Sequence, residues 1–438
     1  MKVAFRTLGC KVNLYESEAL KNAFHARGFE TVSGEGADVV IVNTCTVTHS
    51  SAAKSRKEIR RATRRNPDAV VAVLGCYSQL SKERVEAIEG VDIIMGTADR
   101  GRLIDYVEQA LKNKTTTVDV KDFSHLGGFD DLYLEAYSDK TRAFLKIQDG
   151  CDQYCSYCII PRARGPVRSR ATRDVLAEAK RLVANGFKEI VLTGIHTGSY
   201  GKDLPDTTFH GLLDALRNID GLQRLRISSI EMHQIDEALL ALLAGDDTFA
   251  PHLHIPLQHG SDRILRRMRR RYSASEYEAM IEKVRHYLPD AAITTDVMCG
   301  YPGEEEADFQ KTLELAERVG FSEMHVFPYS AREGTKAYDE NLESPIAPEV
   351  KKARVKTLLA LNESLAGAYR EFLRHRRKPL EVLIEHCEAG MCRGHTGEYL
   401  YVEVEHDTRE NTMMRVTLED AAYPVSRAFA LETGPKRG

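Results

Sequence analysis

Cys151-Asp152-Gln153-Tyr154-Cys155-Ser156-Tyr157-Cys158 carries three thiols at C-x3-C-x2-C spacing. Thiolates this close on one loop can share a metal centre. A closed structural zinc site takes four ligands, and the next histidine in the chain is as distant as His196. Three thiolates instead suit a four-iron, four-sulfur (4Fe–4S) cluster with one iron left open to a small ligand. The alternative is a set of reduced, buried cysteines, which behave as small hydrophobes.

Outward from this loop the chain alternates strand and helix. Strands are predicted over 143–148, 189–193, 224–229, 252–256, 292–298 and 324–328. Helical spacing separates them over 172–185, 209–217, 236–244, 275–287 and 305–319. Six βα units predict a parallel barrel or partial barrel, whose sites form at the C-terminal ends of its strands. The Cys151 loop follows the first strand and falls on that rim.

The N-terminal region also alternates. Strands over 2–8, 38–42 and 69–74 precede Cys10, Cys45 and Cys76 respectively. Helices are expected over 13–27, 50–65, 81–89 and 99–112. In a parallel sheet the carboxyl ends of the strands share one edge, and ligands bind there. The three cysteines are expected to converge as a second cluster site; otherwise they are unrelated buried thiols. Residues 115–140, with Gly127-Gly128 and many aspartates, read as a linker with an edge strand. A long basic amphipathic helix follows over 348–376. Strands over 380–385, 399–404 and 414–418, with Gly390, Gly394 and Gly397 in turns, predict a small β-barrel of OB-like size. Such modules often bind nucleic acid. The expected class is α/β, divided into a cluster domain (1–114), a linker (115–136), a βα-barrel core (137–367) and a small β-barrel (370–433).

The chain has 438 residues, 42% hydrophobic and 29% charged, which suits several soluble domains. No apolar run reaches the roughly eighteen residues of a membrane span. The apolar stretch near Met1 is too short for a signal peptide, so a cytoplasmic setting is expected. Thiols stay reduced there, and the nine cysteines point to metal or chemistry rather than disulfides. Cys299 is expected to be packing; Cys387 and Cys392 lack a partner pair and are expected to be structural or incidental, not a zinc site. A net charge of −4 gives no global attraction to nucleic acid. Local basic runs do: Lys54, Arg56, Lys57, Arg60, Arg61, Arg64 and Arg65 on one helix; Arg162, Arg164, Arg168, Arg170 and Arg173 after the Cys151 loop; Arg263, Arg266, Arg267, Arg269, Arg270 and Arg271. Each run alone is ordinarily a solvated face. Three runs in a net-acidic chain point to phosphate contacts, with Lys54, Arg56, Arg60, Arg64, Arg266 and Arg270 as candidates. Arg393, His395, Tyr399 and Tyr401 of the last domain could add stacking and phosphate bonds. The run from Arg162 to Arg173 could equally serve a cofactor.

The motifs Gly9-Cys10-Lys11-Val12-Asn13, Asn43-Thr44-Cys45-Thr46, Gly75-Cys76, Gly150-Cys151 through Cys158-Ile159-Ile160-Pro161, Arg164-Gly165, Leu257-Gln258 with Gly260-Ser261, and Pro302-Gly303-Glu304 stand in this order. Together they resemble the radical S-adenosylmethionine (SAM) methylthiotransferases over nearly the whole chain. The resemblance implies an N-terminal auxiliary-cluster domain, a radical SAM partial (βα)6 barrel and a C-terminal TRAM domain. Lys11-Val12-Asn13-Leu14-Tyr15-Glu16-Ser17-Glu18 resembles the branch acting on N6-threonylcarbamoyladenosine at tRNA position 37. The isopentenyladenosine branch usually reads Gly-Cys-Gln-Met-Asn, and the ribosomal-protein branch Gly-Cys-Pro-Lys-Asn. His259 and Lys336 depart from the Ser and Pro common in relatives, which touches the detail of the pockets.

The resemblance implies two 4Fe–4S clusters, one on Cys151, Cys155 and Cys158 and one on Cys10, Cys45 and Cys76. The first would bind SAM and, on receiving one electron, release a 5′-deoxyadenosyl radical. The second would hold the sulfur to be inserted, and a second SAM would donate the methyl group. A radical is needed because the target C2–H is not acidic at neutral pH. No side chain is expected to act as acid or base. Thr193, Gly194, Ser229, Glu231, Gln258, Ser261, Asp296 and Arg332 lie at strand ends where SAM could bind; each could equally be an ordinary loop polar group. Implied partners are a tRNA anticodon stem-loop, a sulfur donor and an electron donor such as flavodoxin or ferredoxin. The alternatives are the same chemistry on another tRNA adenosine or a ribosomal-protein side chain, and a non-catalytic iron–sulfur RNA-binding sensor.

Overall fold

The computed structural model describes residues 1–123, 128–130, 132–135, 137 and 141–431. Gly127 of the expected linker lies outside the described residues. The N-terminal sheet has six parallel strands: β1 (Lys2–Thr7), β2 (Glu30–Val32), β3 (Val39–Thr44), β4 (Val70–Gly75), β5 (Ile93–Met95) and β6 (Thr117–Asp119). Their order is β2-β1-β3-β4-β5-β6. β3 and β4 are buried at every position, because alternate residues feed cores on opposite faces. Val39 and Ile41 pack on one side with α1 (Lys11–Ala26); Val40 and Val42 pack on the other with α2 (His49–Arg65). β1, β3 and β4 are neighbours, so Cys10, Cys45 and Cys76 leave one edge side by side. β6 is the edge strand expected in the linker.

The core contributes β7 (Arg142–Lys146), β8 (Gln148–Asp149), β9 (Arg168–Ser169), β10 (Glu189–Thr193), β11 (Arg224–Ile227), β12 (His252–His254), β13 (Ala292–Cys299) and β14 (Glu323–Pro328). β7-β10-β11 and β12-β13-β14 are parallel sheets. Bridges at Leu225–Phe249 and Ser229–His254 join them into a six-stranded partial barrel. β8 and β9 form a short antiparallel ribbon at the base of the Cys151 loop. The helix Pro348–His375 packs on β14 and leads to the last domain.

That domain is a closed barrel of β15 (Leu380–Glu388), β16 (Met391–Thr396), β17 (Tyr401–Glu405), β18 (Met413–Leu418) and β19 (Val425–Ala430), ordered β15-β16-β17-β19-β18. Two expectations are corrected here. Gly394 lies within β16, not in a turn; a Cβ there would stand 1.9 Å from the Leu383 carbonyl oxygen, so glycine permits the close pairing. Cys387 and Cys392 form a disulfide, against the expectation that all cysteines are reduced. The antiparallel register sets them opposite each other with Cα atoms 4.2 Å apart. Cys299 is buried, as expected of packing, and burial pushes its thiol up to about 12.

The two barrels are locked by charge. Glu189 accepts from Arg224 at 3.0 Å and Arg226 at 2.7 Å inside the partial barrel. The same guanidiniums donate to the carbonyls of Glu381, Thr396 and Gly397 in the last domain. Burial opposes ionisation of Glu189, but the surrounding arginines outweigh it and hold the carboxyl at about 2.

Candidate functional site

Glycines let the N-terminal cysteines approach one another. A Cβ on Gly9 would stand 3.0 Å from Cys45 Cβ and 3.2 Å from Cys45 Sγ. Gly75 has φ +105°, and a Cβ there would meet Asn43 Oδ1 and the Thr44 carbonyl oxygen, each at 2.6 Å. Asn13 ties the edge together: its Nδ2 donates to the carbonyls of Leu8 (2.8 Å) and Thr44 (2.9 Å). Cys45 and Cys76 are buried and Cys10 is exposed at the rim. Burial raises the Cys76 thiol to about 11 against the pull of Arg164, whose Nε lies 3.3 Å from its sulfur.

The Cys151 loop is fixed at both ends. Cys151 N–H donates to the Gly165 carbonyl at 3.0 Å, and Ser156 N–H to the Met268 carbonyl at 3.1 Å. Gly150, at φ +75°, has no room for a Cβ, which would lie 1.8 Å from the Pro166 carbonyl oxygen. Burial and mutual repulsion push Cys151 to about 11 and Cys158 to about 12. Such crowding favours a bound cationic centre that accepts the thiolates. Among the described residues neither cysteine set brings three sulfurs within 4.8 Å of one another, the span at which a single ion would collect them. Both sets therefore fit a larger iron–sulfur cluster better than zinc.

Arg164 joins the two sites. It is fully buried and donates to Glu16 at 2.7 Å, Asn13 Oδ1 at 2.7 Å and Asp149 at 3.1 Å. Lys146 binds the same two carboxylates at 2.8 and 2.7 Å, and Arg100 lies 3.1 Å from Glu16. Burial works against the Glu16 carboxylate; Arg100, Arg164 and Lys146 overcome it and hold it at about 2. This network was not foreseen. Its signal was present: Val12, Glu16 and Leu20 share one helical face, so an acid sits on an apolar stripe.

The strand-end residues divide. Thr193 is buried, and a Cβ on Gly194 would stand 2.9 Å from Gln148 Oε1, beside the Cys151 loop. Gln148 accepts from His196 N–H at 2.8 Å and donates to Asp149 and Gly150 carbonyls, both at 2.7 Å. His196 is neutral, since burial lowers it to about 4, and among the described residues its buried Nε2 has no hydrogen-bond partner. Gln258 adopts φ +67° and leaves a buried Oε1 unpartnered, a further polar atom available to a ligand. Ser229 is half-buried where β11 meets β12.

Three of the expected SAM residues, Ser261, Asp296 and Arg332, stand apart from the Cys151 loop, while Glu231 stays beside it, where its charge acts on Cys151 and His196. Glu231 is taken up by Arg270, whose Nη1 lies 3.1 Å from it. Ser261 donates to Asp308 at 2.6 Å on the outer side of the barrel. Asp296 lies between His254 (3.5 Å) and His325 (3.4 Å), lower in the barrel. Burial opposes its charge, but hydrogen bonds from the two imidazoles keep it well below the usual carboxylate range. Arg332 donates to Thr46 Oγ1 at 2.5 Å, which places it beside Cys45 rather than the Cys151 loop.

The basic runs also sort. Arg164, Arg168 and Arg170 are buried and ion-paired and are scaffold, while Arg162 and Arg173 of the same run are exposed. Arg270 is buried, its Nη1 3.6 Å from Cys155 Sγ, and is not a surface contact. Arg266 is exposed. Arg393 is neutralised by Glu403 at 3.2 Å, and Tyr399 is half-buried between the barrels. On α2 the burial of Ala52, Ser55, Ile59 and Ala62 turns Lys54, Lys57, Arg60 and Arg64 outward. Arg56 bridges this face to the auxiliary edge, 5.7 Å over the ring of Tyr77 next to Cys76.

Residues 2–96 match a family described as Uncharacterized protein family UPF0004, and 145–316 match the Radical SAM superfamily. The chain is 43% identical over 431 residues to the threonylcarbamoyladenosine tRNA methylthiotransferase MtaB of Bacillus subtilis, covering 96% of this chain and 94% of that one. It is 35% identical over 372 residues to the tRNA-2-methylthio-N(6)-dimethylallyladenosine synthase of Caldicellulosiruptor saccharolyticus, covering 82% and 77%. The fold is similar, at TM-score 0.60 and 15% identity, to the radical SAM methyltransferase TsrM of Kitasatospora setae, covering 78% of this chain and 77% of that one. Cysteine-bearing edge, six-stranded partial barrel and full-length relatives agree, and the chain belongs to the radical SAM tRNA methylthiotransferases, a family of transferases.

Proposed function

We propose that this enzyme converts N6-threonylcarbamoyladenosine at tRNA position 37 into its 2-methylthio derivative, consuming two SAM per product. The observation that carries the reading is the placement of two cysteine triads on either side of Arg164, in a chain whose full-length relative is named for that nucleoside. Cys151, Cys155 and Cys158 would hold one cluster, and Cys10, Cys45 and Cys76 the other. When bound, the clusters supply the electron-transfer and sulfur chemistry that no side chain can provide.

The protein's own residues position and shield. Gly194 lets Gln148 pack directly against its backbone, and Gln148 holds the His196 loop and the Gly150 carbonyl in place beside the Cys151 loop where the amino acid or sugar of SAM would lie. Gln258 Oε1 and His196 Nε2 offer buried polar atoms to that ligand, and a neutral His196 puts no competing cation beside it. Arg332, on Thr46, and Arg164, on Cys76, put positive charge next to the auxiliary triad. The exposed cations of α2 would take backbone phosphates while the anticodon loop reaches the edge between the triads. An electron donor and a sulfur donor complete the cycle.

Paired variants test the assignment. Cys155→Ala should abolish 5′-deoxyadenosine release, whereas Cys45→Ala should keep it and lose methylthio product. Product from Cys45→Ala, or product only on a ribosomal protein, would overturn the reading; RNA binding with no SAM cleavage by the wild type would leave a sensor.

A further inference from the structure

Lys11 begins α1, one residue after Cys10, and is an exposed residue whose side chain extends toward the N-terminal ends of the barrel strands, where β7, β10 and β12 begin at Arg142, Glu189 and His252. Its Nζ lies 5.8 Å from the centre of the Tyr399 ring. That ring is stacked on His252 (5.0 Å between centres) and flanked by Arg142 and Arg226 at 5.5 and 5.0 Å. Four cations thus gather here: Lys11, Arg142, Arg224 and Arg226. Among the described residues two carboxylates answer them. Glu189 is shared by Arg224 and Arg226, and Glu385 is taken by Arg142 at 2.9 Å. Among the described residues Lys11 has no carboxylate within ion-pair distance, so the charge excess falls on its ammonium. Three domains meet at this point, from Lys11, from Arg142 and His252, and from Tyr399 with His395.

The position next to Cys10 matters. A base presented to the auxiliary triad would carry its N6 substituent toward the residues that follow Cys10. A threonylcarbamoyl group ends in a carboxylate; a dimethylallyl group is uncharged. A lone ammonium over an aromatic ring, beside arginines already satisfied, is a receptor for an anion and offers nothing to an alkene.

We infer that Lys11 is the specificity residue of this enzyme, pairing with the carboxylate of the N6-threonylcarbamoyl group against the Tyr399 wall. The inference rests on the proposed nucleoside substrate and adds the group that reads it.

The test uses the iron-loaded full-length enzyme and three anticodon stem-loop RNAs. One carries N6-threonylcarbamoyladenosine, one its threonyl methyl ester, one N6-dimethylallyladenosine. Wild type should bind the acid about tenfold or more tighter than the ester, the scale of one partly desolvated charge-assisted bond. Lys11→Gln should bind acid and ester alike, at the ester's affinity, and Lys11→Arg should keep most of the preference. Equal binding of acid and ester by wild type would overturn the inference. So would an equal loss on both RNAs in Lys11→Gln, which would assign Lys11 to a backbone phosphate. Iron content and cluster electron paramagnetic resonance (EPR) spectra of each variant report on Cys10; if Lys11→Gln loses iron, the wild-type acid and ester affinities decide alone. Wild-type methylthio product from the dimethylallyl RNA and none from the acid would instead sink the proposed function.

Discussion

Replacing Arg164 by Met tests the junction between the two cysteine triads. The side chain is fully buried and makes bonds to Glu16, Asp149, Asn13 and Cys76. Met fills similar space but leaves two buried carboxylates short of a cation. Breaking a buried pair on one side costs about 3–5 kcal/mol. Lys146 and Arg100 still serve Glu16, and Lys146 still serves Asp149, so the cost should fall near the lower end. At roughly 2–4 °C per kcal/mol for a domain of about 200 residues, the midpoint should drop by about 6–12 °C. Anaerobic scanning calorimetry of iron-loaded wild type, Arg164→Met, Glu16→Gln and the double variant supplies the numbers. The double variant should cost clearly less than the two single losses added, since removing both partners removes the stranded charge. Arg164→Lys should fall between, because an ammonium cannot reach Glu16, Asn13 and Cys76 together. A drop below about 2 °C in Arg164→Met, or strict additivity, would show that these charges do not work as one network.

Other perturbations follow from the same geometry. Glu189 is depressed from 4.5 to about 2, so its stabilisation is full above pH 4.5 and is lost as pH falls toward 2. It amounts to about 3 kcal/mol, and Glu189→Gln should remove most of the acid dependence across that window in pH-resolved unfolding. Gly75→Ala sets a Cβ 2.6 Å from Asn43 Oδ1 and the Thr44 carbonyl at φ +105°; iron should fall from about eight to about four per chain, with SAM cleavage retained. Arg60→Gln with Arg64→Gln should weaken anticodon stem-loop binding and lower the salt slope by about one to two, and an unchanged slope would remove α2 from the RNA face.

Strand and helix periods made most of the fold legible. The spans of β10 and of the helix Phe209–Arg217 are those the pattern implies, because one is a short fully buried run and the other an amphipathic run capped by Thr208. Short strands such as β2 and β5 escaped, since three residues carry no usable period. β16 escaped because Gly394 reads as a turn until the Leu383 carbonyl is known to lie against it. That Cys10, Cys45 and Cys76 leave neighbouring strands at one edge was legible from their spacing. Individual charges were not: Arg164, Arg168, Arg170 and Arg270 look like Arg266 in sequence, yet the first four are buried against acids from other segments. Which arginine meets which carboxylate is decided by long-range packing, and a basic run does not reveal it. Glu231 and Arg332 were placed at the right rim, but each is held by a partner that lies far along the chain.

The central claim is tested most directly on one RNA. Reconstituted enzyme, SAM and a reductant are incubated with an anticodon stem-loop bearing N6-threonylcarbamoyladenosine, and the digested nucleosides are read by mass spectrometry. The account predicts the 2-methylthio derivative, with Cys45→Ala yielding none while still releasing 5′-deoxyadenosine. Unchanged nucleoside in the presence of 5′-deoxyadenosine from the wild type, with both clusters loaded, would contradict it.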